Sequence, residues 1–446
     1  MDIPFTTPTS FVRHKQRVHK KLIILYIFFG WQIAFAQAEP ETNTLTLNTA
    51  LKRATEQNPS LKVFKFRNIA LQGQMDTAEL QPAYELGIGA ENFSGTDELR
   101  GFSGAELTVS LSSVLEMGDK RNARMGIVAN SRSVIDAQRQ VAALELLGEV
   151  TRRYVDVLAA QAQSMLAREA NELANQTLNI VEKRAEAGAT PDAEVKRALA
   201  AAAQAQLTLL STQQQLIYLK IALAALWGDT APGFSNVEGD LYHFGTDVEF
   251  ETLFEKMEKN PAILIFAAEE RLKNAEIRVA KTQSKADINW SVGVRRFQAN
   301  DDAALVAGFS MPLFSSRRNA GAISTVRAQR EQIYVQKEAA LLRMHTQLFR
   351  AFHNRRQAIL TAKKLRTTII PALSDALEET QTAYQSGRYG YLEYVSARQE
   401  LLSARRTLIE SAAAALTYGA EIEQLTAEPL AATQYGKSIE FSGSVK

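Results

Sequence analysis

Tyr84, Leu86, Ile88 and Ala90 alternate with Glu85, Gly87, Gly89 and Glu91. After a polar, glycine-containing stretch from Asn92 to Gly104, Leu107, Val109 and Leu111 alternate with Glu106, Thr108, Ser110 and Ser112. Alternation with period two marks a strand with one apolar face. Residues 82–93 and 105–115 are therefore predicted to form a hairpin. On either side of it the pattern is helical. A helix begins within Leu45–Leu51, with Asn48 or Thr49 as candidate caps, and Asn58-Pro59 punctuates it, since proline suits a helix start and not its interior. A second helix is predicted from Ser60 to Leu80. From Lys120 to Ala187 the chain contains no proline and is rich in Ala, Leu, Gln, Glu and Arg, all good helix formers. At 1.5 Å per residue this is a rod of about 100 Å. Gly188 suits a left-handed cap after that rod, and Pro191 suits the first turn of the helix that returns over 191–227. A mixed connector follows from Gly228 to Gly245.

The same plan then repeats. Asn260-Pro261 stands where Asn58-Pro59 stood, and a helix follows over 262–281. Ile288, Trp290, Val292 and Val294 alternate with polar or small neighbours, Gln298–Ala304 reads as a polar loop, and Leu305, Ala307, Phe309, Met311 and Leu313 alternate again. Strands are thus predicted at 287–297 and 305–314, with long helices at 319–386 and 391–425 joined by the turn Gly387–Gly390. Pro371 is expected to bend the first of these. The displacement of about 200 residues points to a duplication, not to a short-repeat solenoid.

The N-terminus carries a different signal. Arg13, Lys15, Arg17, Lys20 and Lys21 precede the apolar run Leu22–Phe35, and small residues follow at Ala34, Ala36 and Ala38. This is the order of a secretory signal peptide, and the run is short for a spanning helix, so cleavage is favoured over anchoring. Residues 1–36 hold a net charge of +4 against +2 for the whole chain, which leaves −2 for the rest. The basic character therefore belongs to the leader, and no general nucleic-acid surface is indicated. The absence of cysteine excludes disulfides, thiolate metal sites, cysteine nucleophiles and a lipid-modified N-terminal cysteine. The division is a signal peptide over 1–36, a first repeat over 37–243, a second over 244–427 and a tail over 428–446.

Each strand has one apolar face of a length that suits a tilted outer-membrane strand, and its other face suits a watery lumen. Alternation alone also fits a soluble sandwich. The leader and the small number of strands favour the membrane. Four strands cannot close a barrel, and a bilayer does not tolerate open edges, so several copies must pool their strands. Three copies give a twelve-stranded barrel, with the long helices forming a helical barrel in the periplasm. The fold class is mainly α with a small membrane β part.

These residues resemble the TolC family of trimeric outer-membrane efflux ducts, over about 45–427. The branch serving cobalt–zinc–cadmium efflux shows P-x-x-E-L, E-N-F, G-A-E, L-S and L-E-L-G-G-K-R in order. Here these read Pro82-Ala-Tyr-Glu85-Leu86, Glu91-Asn92-Phe93, Gly104-Ala105-Glu106, Leu111-Ser112 and Leu115-Glu-Met-Gly-Asp-Lys-Arg121. Asp119 departs from the second glycine of the last motif. The resemblance implies a passive duct exporting divalent heavy-metal cations, docked to a periplasmic adaptor and an inner-membrane proton-driven pump. Drug or protein export is the alternative within the fold, and a periplasmic coiled-coil adaptor or scaffold is the alternative outside it. The resemblance also implies that the tips at Gly188 and Gly387 face the adaptor. It places an acidic constriction of the periplasmic entrance at Glu393, with Tyr389 and Tyr391 beside it and Glu194 as the first-repeat counterpart. Ser396 stands where some relatives carry a second acid.

A ring of three Glu393 side chains would attract divalent cations, whereas a lone glutamate at a helix start serves the helix dipole. Both readings stand at this point. His345 and His353 lie eight residues apart, which is not the spacing of a zinc-chelating pair, and they read as core or surface residues. Gly87-x-Gly89 lies within a strand and is no dinucleotide loop. No nucleophile–base constellation is evident, and the plan is not that of an enzyme.

Overall fold

Two asparagine–proline pairs set the frame of the chain. The computed structural model describes residues 44–245, 248–314, 317 and 319–429, all within the unit Thr42–Lys446. The expected signal peptide and the tail beyond Pro429 lie outside the described residues. In chain order, β1 (Thr44–Leu45), α1 (Leu47–Gln57) and α2 (Pro59–Ala78) lead to the hairpin β2 (Glu85–Glu91) and β3 (Glu106–Leu115). Then α3 (Lys120–Glu186) and α4 (Asp192–Ala224) run out and back. The second pass has β4 (Asn236–Val237), α5 (Phe250–Met257), α6 (Pro261–Gln283), and the hairpin β5 (Ile288–Phe297) and β6 (Asp302–Ser310). It ends with α7 (Ala320–Lys364), α8 (Ile370–Gln385) and α9 (Tyr391–Thr426).

Asn58 and Asn260 do the same two jobs in the two passes. Asn58 Oδ1 accepts from Ser60 N at 2.8 Å and so caps α2, while its Nδ2 donates to Leu226 O at 2.7 Å. Asn260 Oδ1 accepts from Ala262 N at 2.8 Å, and its Nδ2 donates to Gln424 O and Leu425 O, each at 2.9 Å. One side chain thus satisfies an orphan donor at one helix start and orphan acceptors at another helix end.

Around these anchors α1 packs on α3 and α5 packs on α7. The first core joins Leu45, Val150, Tyr154, Val157, Leu223 and Trp227, and the second joins Leu253, Met257, Leu348, Ile422 and Leu425. Each large apolar side chain so buried contributes about 1.5–3 kcal/mol. Tyr154 ties the first core to the short parallel pair β1–β4, since its hydroxyl bonds both Leu45 O and Glu238 O.

Several expected boundaries shift. The first helix starts at Leu47 and is capped by Thr46, whose Oγ1 accepts from Thr49 N. Asn48 and Thr49 are therefore not the cap, because Leu45 is held in β1 against Val237. The helix α5 was not anticipated within the second repeat. The last strand occupies Asp302–Ser310 instead of 305–314, and its loop shrinks to four residues from Gln298 to Asp301. Its end is fixed by the pairing of Ser310 with Asn289 at the foot of β5. Before Pro371 the helix widens into a π-turn over Leu365–Ile369. A proline cannot donate to the ladder, and this turn lies where the α pattern would be broken.

Candidate functional site

The four long strands form one antiparallel sheet in the order β2-β3-β5-β6. The central pairing, β3 with β5, joins the two passes. The register sorts most side chains by face; Arg296, opposite Leu107, falls on the apolar side, and Phe297 and Val306 fall on the polar side. Leu86, Leu111, Val292 and Ala307 form one cross-strand row, and Ile88, Val109, Val294 and Leu305 form another on the same face. Leu86 and Ile88 are each 72% exposed, Leu305 83% and Phe309 84%. Glu85, Ser112, Ser291 and Gly308 make a row on the opposite face, and Gly89, Thr108, Arg295 and Ala304 another. A one-residue slip in any strand would mix these faces. The sheet therefore leaves an uncovered apolar face of the kind that marks an interaction with membrane or protein.

Aromatic side chains close the apolar face at its foot. Tyr84 meets Trp290 edge-on at 6.3 Å, and Trp290 pairs with Phe309. In the loop at the other end, Phe93 stacks on Phe102 at 6.5 Å. Bands of aromatic residues flank the lipid-facing strip of outer-membrane strands. The polar face carries an ion-paired cluster. Arg295 meets Glu91 at 3.0 Å and Glu106 at 2.9 Å, and its Nε donates to Thr108 Oγ1 at 2.9 Å. Gly293 is required at the centre, since a Cβ there would lie 2.5 Å from Val109 O.

The foot of the sheet is locked to the helices by charge. Lys120 pairs with Asp287 at 2.6 Å, and Met117 N donates to the other carboxylate oxygen of Asp287 at 2.9 Å. Asp119 has φ +68 and follows Gly118 at φ +84. Aspartate tolerates this left-handed conformation better than most residues, so the departure from glycine preserves the turn. It also adds a contact with Arg278 at 2.7 Å.

The far ends of the long helices form two matched tips. Gly188 has φ +71 and Gly387 φ +73. Ala189 N donates to Arg184 O and Arg388 N to Ala383 O, each at 2.8 Å. Each is a glycine-terminated helix end with a six-to-one bond. Arg184 joins the tips: its Nη1 donates to Tyr384 O at 2.9 Å and its guanidinium lies 4.7 Å above the Tyr384 ring. Tyr384 stacks on Tyr394 at 5.5 Å. Burial pushes the Tyr384 and Tyr391 hydroxyls up from their ordinary pKa, with Glu194 adding to the shift and Arg184 and Arg398 respectively opposing it.

The expected entrance residues separate here. Tyr391 is only 5% exposed and packs with Val181, Ala198, Tyr384 and Tyr394. Within the protomer it belongs to the core of the tip. Tyr389 is 53% exposed, and Glu393 is exposed in the first turn of α9. Glu194 is half-buried at the start of α4. The Glu393 carboxylate curls back toward its own helix start, where a Cβ on Gly390 would lie 2.8 Å from its Oε2. His345 packs edge-on against Phe250 and Phe254, and His353 lies against Phe349 and Phe352. Among the described residues no group of three or more His, Asp or Glu side chains is placed to hold a metal ion.

Arg184, Arg295 and Arg398 were not singled out by sequence reasoning. Arg184 lies in the last turn of α3, as the helix dipole favours, but its partner is about 200 residues away and leaves no local signal.

The sequence profile described as "Outer membrane efflux protein" matches residues 50–229. The chain is 24% identical over 400 residues to the cobalt-zinc-cadmium resistance protein CzcC of Cupriavidus metallidurans, covering 85% of this chain and 94% of that one. It is 21% identical over 420 residues to the cation efflux system protein CusC of Escherichia coli, covering 89% and 86%. The crystal structure of a membrane protein from Pseudomonas aeruginosa matches with a TM-score of 0.71 at 17% identity, covering 85% of this chain and 93% of that one. A duplicated hairpin, paired helical tips and this profile over residues 50–229 of the first repeat make the chain similar to outer membrane efflux proteins.

Proposed function

We propose that this chain is the passive outer-membrane duct of a tripartite efflux system and that its cargo is divalent heavy-metal cations. The observation that carries the duct is the register of the sheet. Four strands from two repeats share one largely apolar face and one largely polar face, and among the described residues β2 and β6 each lack a second neighbour. A bilayer requires those edges to be paired. Three copies supply twelve strands, an even number suited to an outer-membrane barrel. The polar faces then line the lumen, and the helices continue the duct into the periplasm. The leader over 1–36 directs export and is removed.

The cargo rests on the relatives, whose names describe cobalt-zinc-cadmium resistance and cation efflux. The tips at Gly188 and Gly387 are the contact points for a periplasmic adaptor, which links the duct to an inner-membrane proton-driven pump. Glu393 and the exposed Tyr389 are the candidates for the entrance constriction, with Glu194 behind them. The duct itself performs no chemistry; its work is passage.

The test is deletion of the gene with tolerance measured to zinc, cobalt and cadmium, and in parallel to dyes and detergents. Loss of metal tolerance alone supports the reading. Sensitivity to dyes and detergents alone would reject the metal cargo. Fractionation with cross-linking checks the assembly, and a soluble monomer would reject the duct.

A further inference from the structure

The cations at the foot of the sheet are more numerous than the fold requires. Lys120, Arg121 and Arg124 stand at the start of α3, and no acid lies in its first turn. The positive end of a helix dipole disfavours cations there. Lys120 is matched by Asp287 and Arg124 by Glu116. Arg121 is exposed and forms no ion pair among the described residues.

The neighbouring end of α6 repeats this excess. Arg278 pairs with Asp119, whereas Lys281 and Lys285 are exposed and form no ion pair among the described residues. The two segments touch. Met117 N bonds Asp287, and the Lys285 side chain lies against Gly118. Residues 116–124 and 278–287 together hold six cations and three carboxylates. This surplus sits directly below the apolar face, where Leu115, Met117 and the Tyr84–Trp290 pair end it.

We propose that Arg121, Lys281 and Lys285 form a basic collar that binds anionic phospholipid headgroups at the foot of the sheet. The inference rests on the sheet crossing a membrane as proposed above. Continuity with the apolar face puts the collar at headgroup depth, and its charge is complementary to a phosphodiester. The attraction for such cations is about 1 kcal/mol each, or about fivefold in local lipid preference, and weakens with salt.

Trp290 reports on this leaflet, since it sits in the aromatic row just above the collar, whereas Trp227 is buried in the first core. The chain from residue 37 onward, whose tryptophans are Trp227 and Trp290, is reconstituted, and its fluorescence is quenched with brominated phosphatidylglycerol or brominated phosphatidylcholine. The expected result is several-fold stronger quenching by phosphatidylglycerol, abolished in Arg121→Gln/Lys281→Gln/Lys285→Gln and reduced by salt. Retained quenching by phosphatidylcholine shows that the variant is folded and inserted, and the three single variants test each cation if the triple one fails to insert. Equal quenching of the parent by both lipids would overturn the collar alone. So would a preference that survives in the triple variant while the ion selectivity of the pore changes, because the cations would then line the lumen. Absence of quenching by either lipid would overturn the membrane reading and the collar with it.

Discussion

Arg398 Nη1 donates to Thr177 Oγ1 at 3.0 Å, with both side chains buried between α9 and α3. The Thr177 hydroxyl both accepts and donates, since its own proton goes to Leu173 O at 2.8 Å. The bond lies on the tip side of a second cross-helix contact, Arg405 to Glu169 at 2.6 Å. Thr177→Val would leave the buried guanidinium short of an acceptor, which costs about 1–3 kcal/mol. The expected outcome is a lower melting temperature and a wider tip, read as raised single-channel conductance. Unchanged values in both would remove this bond from the tip's restraint.

Arg295 is held between Glu91 and Glu106 on the polar face. Removing the cation in Arg295→Gln leaves two carboxylates unbalanced in each protomer. If this face lines the lumen, the pore becomes more cation-selective, and reversal potentials across a potassium chloride gradient shift accordingly. The shift shrinks as ionic strength rises. No shift at low salt would place Arg295 away from the conducting path.

Gly293 and Gly89 offer a matched pair of substitutions. A Cβ at Gly293 collides with the backbone of β3, whereas one at Gly89 meets nothing within 4 Å. Gly293→Ala is expected to cut the yield of assembled protein sharply, and Gly89→Ala to leave it unchanged. Equal yields would mean that β3 and β5 are not paired in this register.

Tyr154 is pushed up to about 12 by burial, from an ordinary value of 10.0. Folding therefore favours its protonated form. Below pH 10 both folded and unfolded chains keep the proton and the contribution is complete. Between about 10 and 12 the unfolded chain loses it first, so stability falls as pH rises. The melting temperature should drop more steeply over this window than in Tyr154→Phe. The phenylalanine variant should also be less stable at neutral pH by about 1 kcal/mol, from the lost bonds to Leu45 O and Glu238 O. Parallel pH curves for the two proteins would contradict the assignment.

Glu393 is the remaining test of the entrance. Its carboxylate lies near Gly390 at its own helix start, a position that also suits a helix-capping role. Glu393→Gln is expected to weaken block of the pore by divalent cations in planar bilayers. Unchanged block with a lower melting temperature would assign the residue to the helix start alone.

Much of this fold is legible from local chemistry. The alternation of Leu86, Ile88, Val109 and Leu111 located the sheet, and Gly188 and Gly387 located the tips, because period and left-handed turns act over a few residues. Strand ends were less legible, since they depend on a partner such as Asn289 opposite Ser310. The helix α5 is short, and its amphipathic pattern spans only two turns. Burial of Tyr391 was beyond local reading: it depends on Val181 and Ala198, brought from another repeat. The side-chain joints Arg184–Tyr384 and Arg398–Thr177 are hidden for the same reason.

The two asparagine anchors also constrain the order in which the chain can become native. The side chain of Asn58 waits for a carbonyl 168 residues later, and that of Asn260 for carbonyls 164 and 165 residues later. Closing loops of that length is entropically slow, and contacts of high sequence separation lower folding rates. Each short-helix lead can dock only after its own long excursion has gone out and come back. The first pass meets this condition once Leu226 has been synthesised, and the second once Leu425 has. Each anchor therefore closes last in its own pass, after the long helices that carry its carbonyl partner have formed.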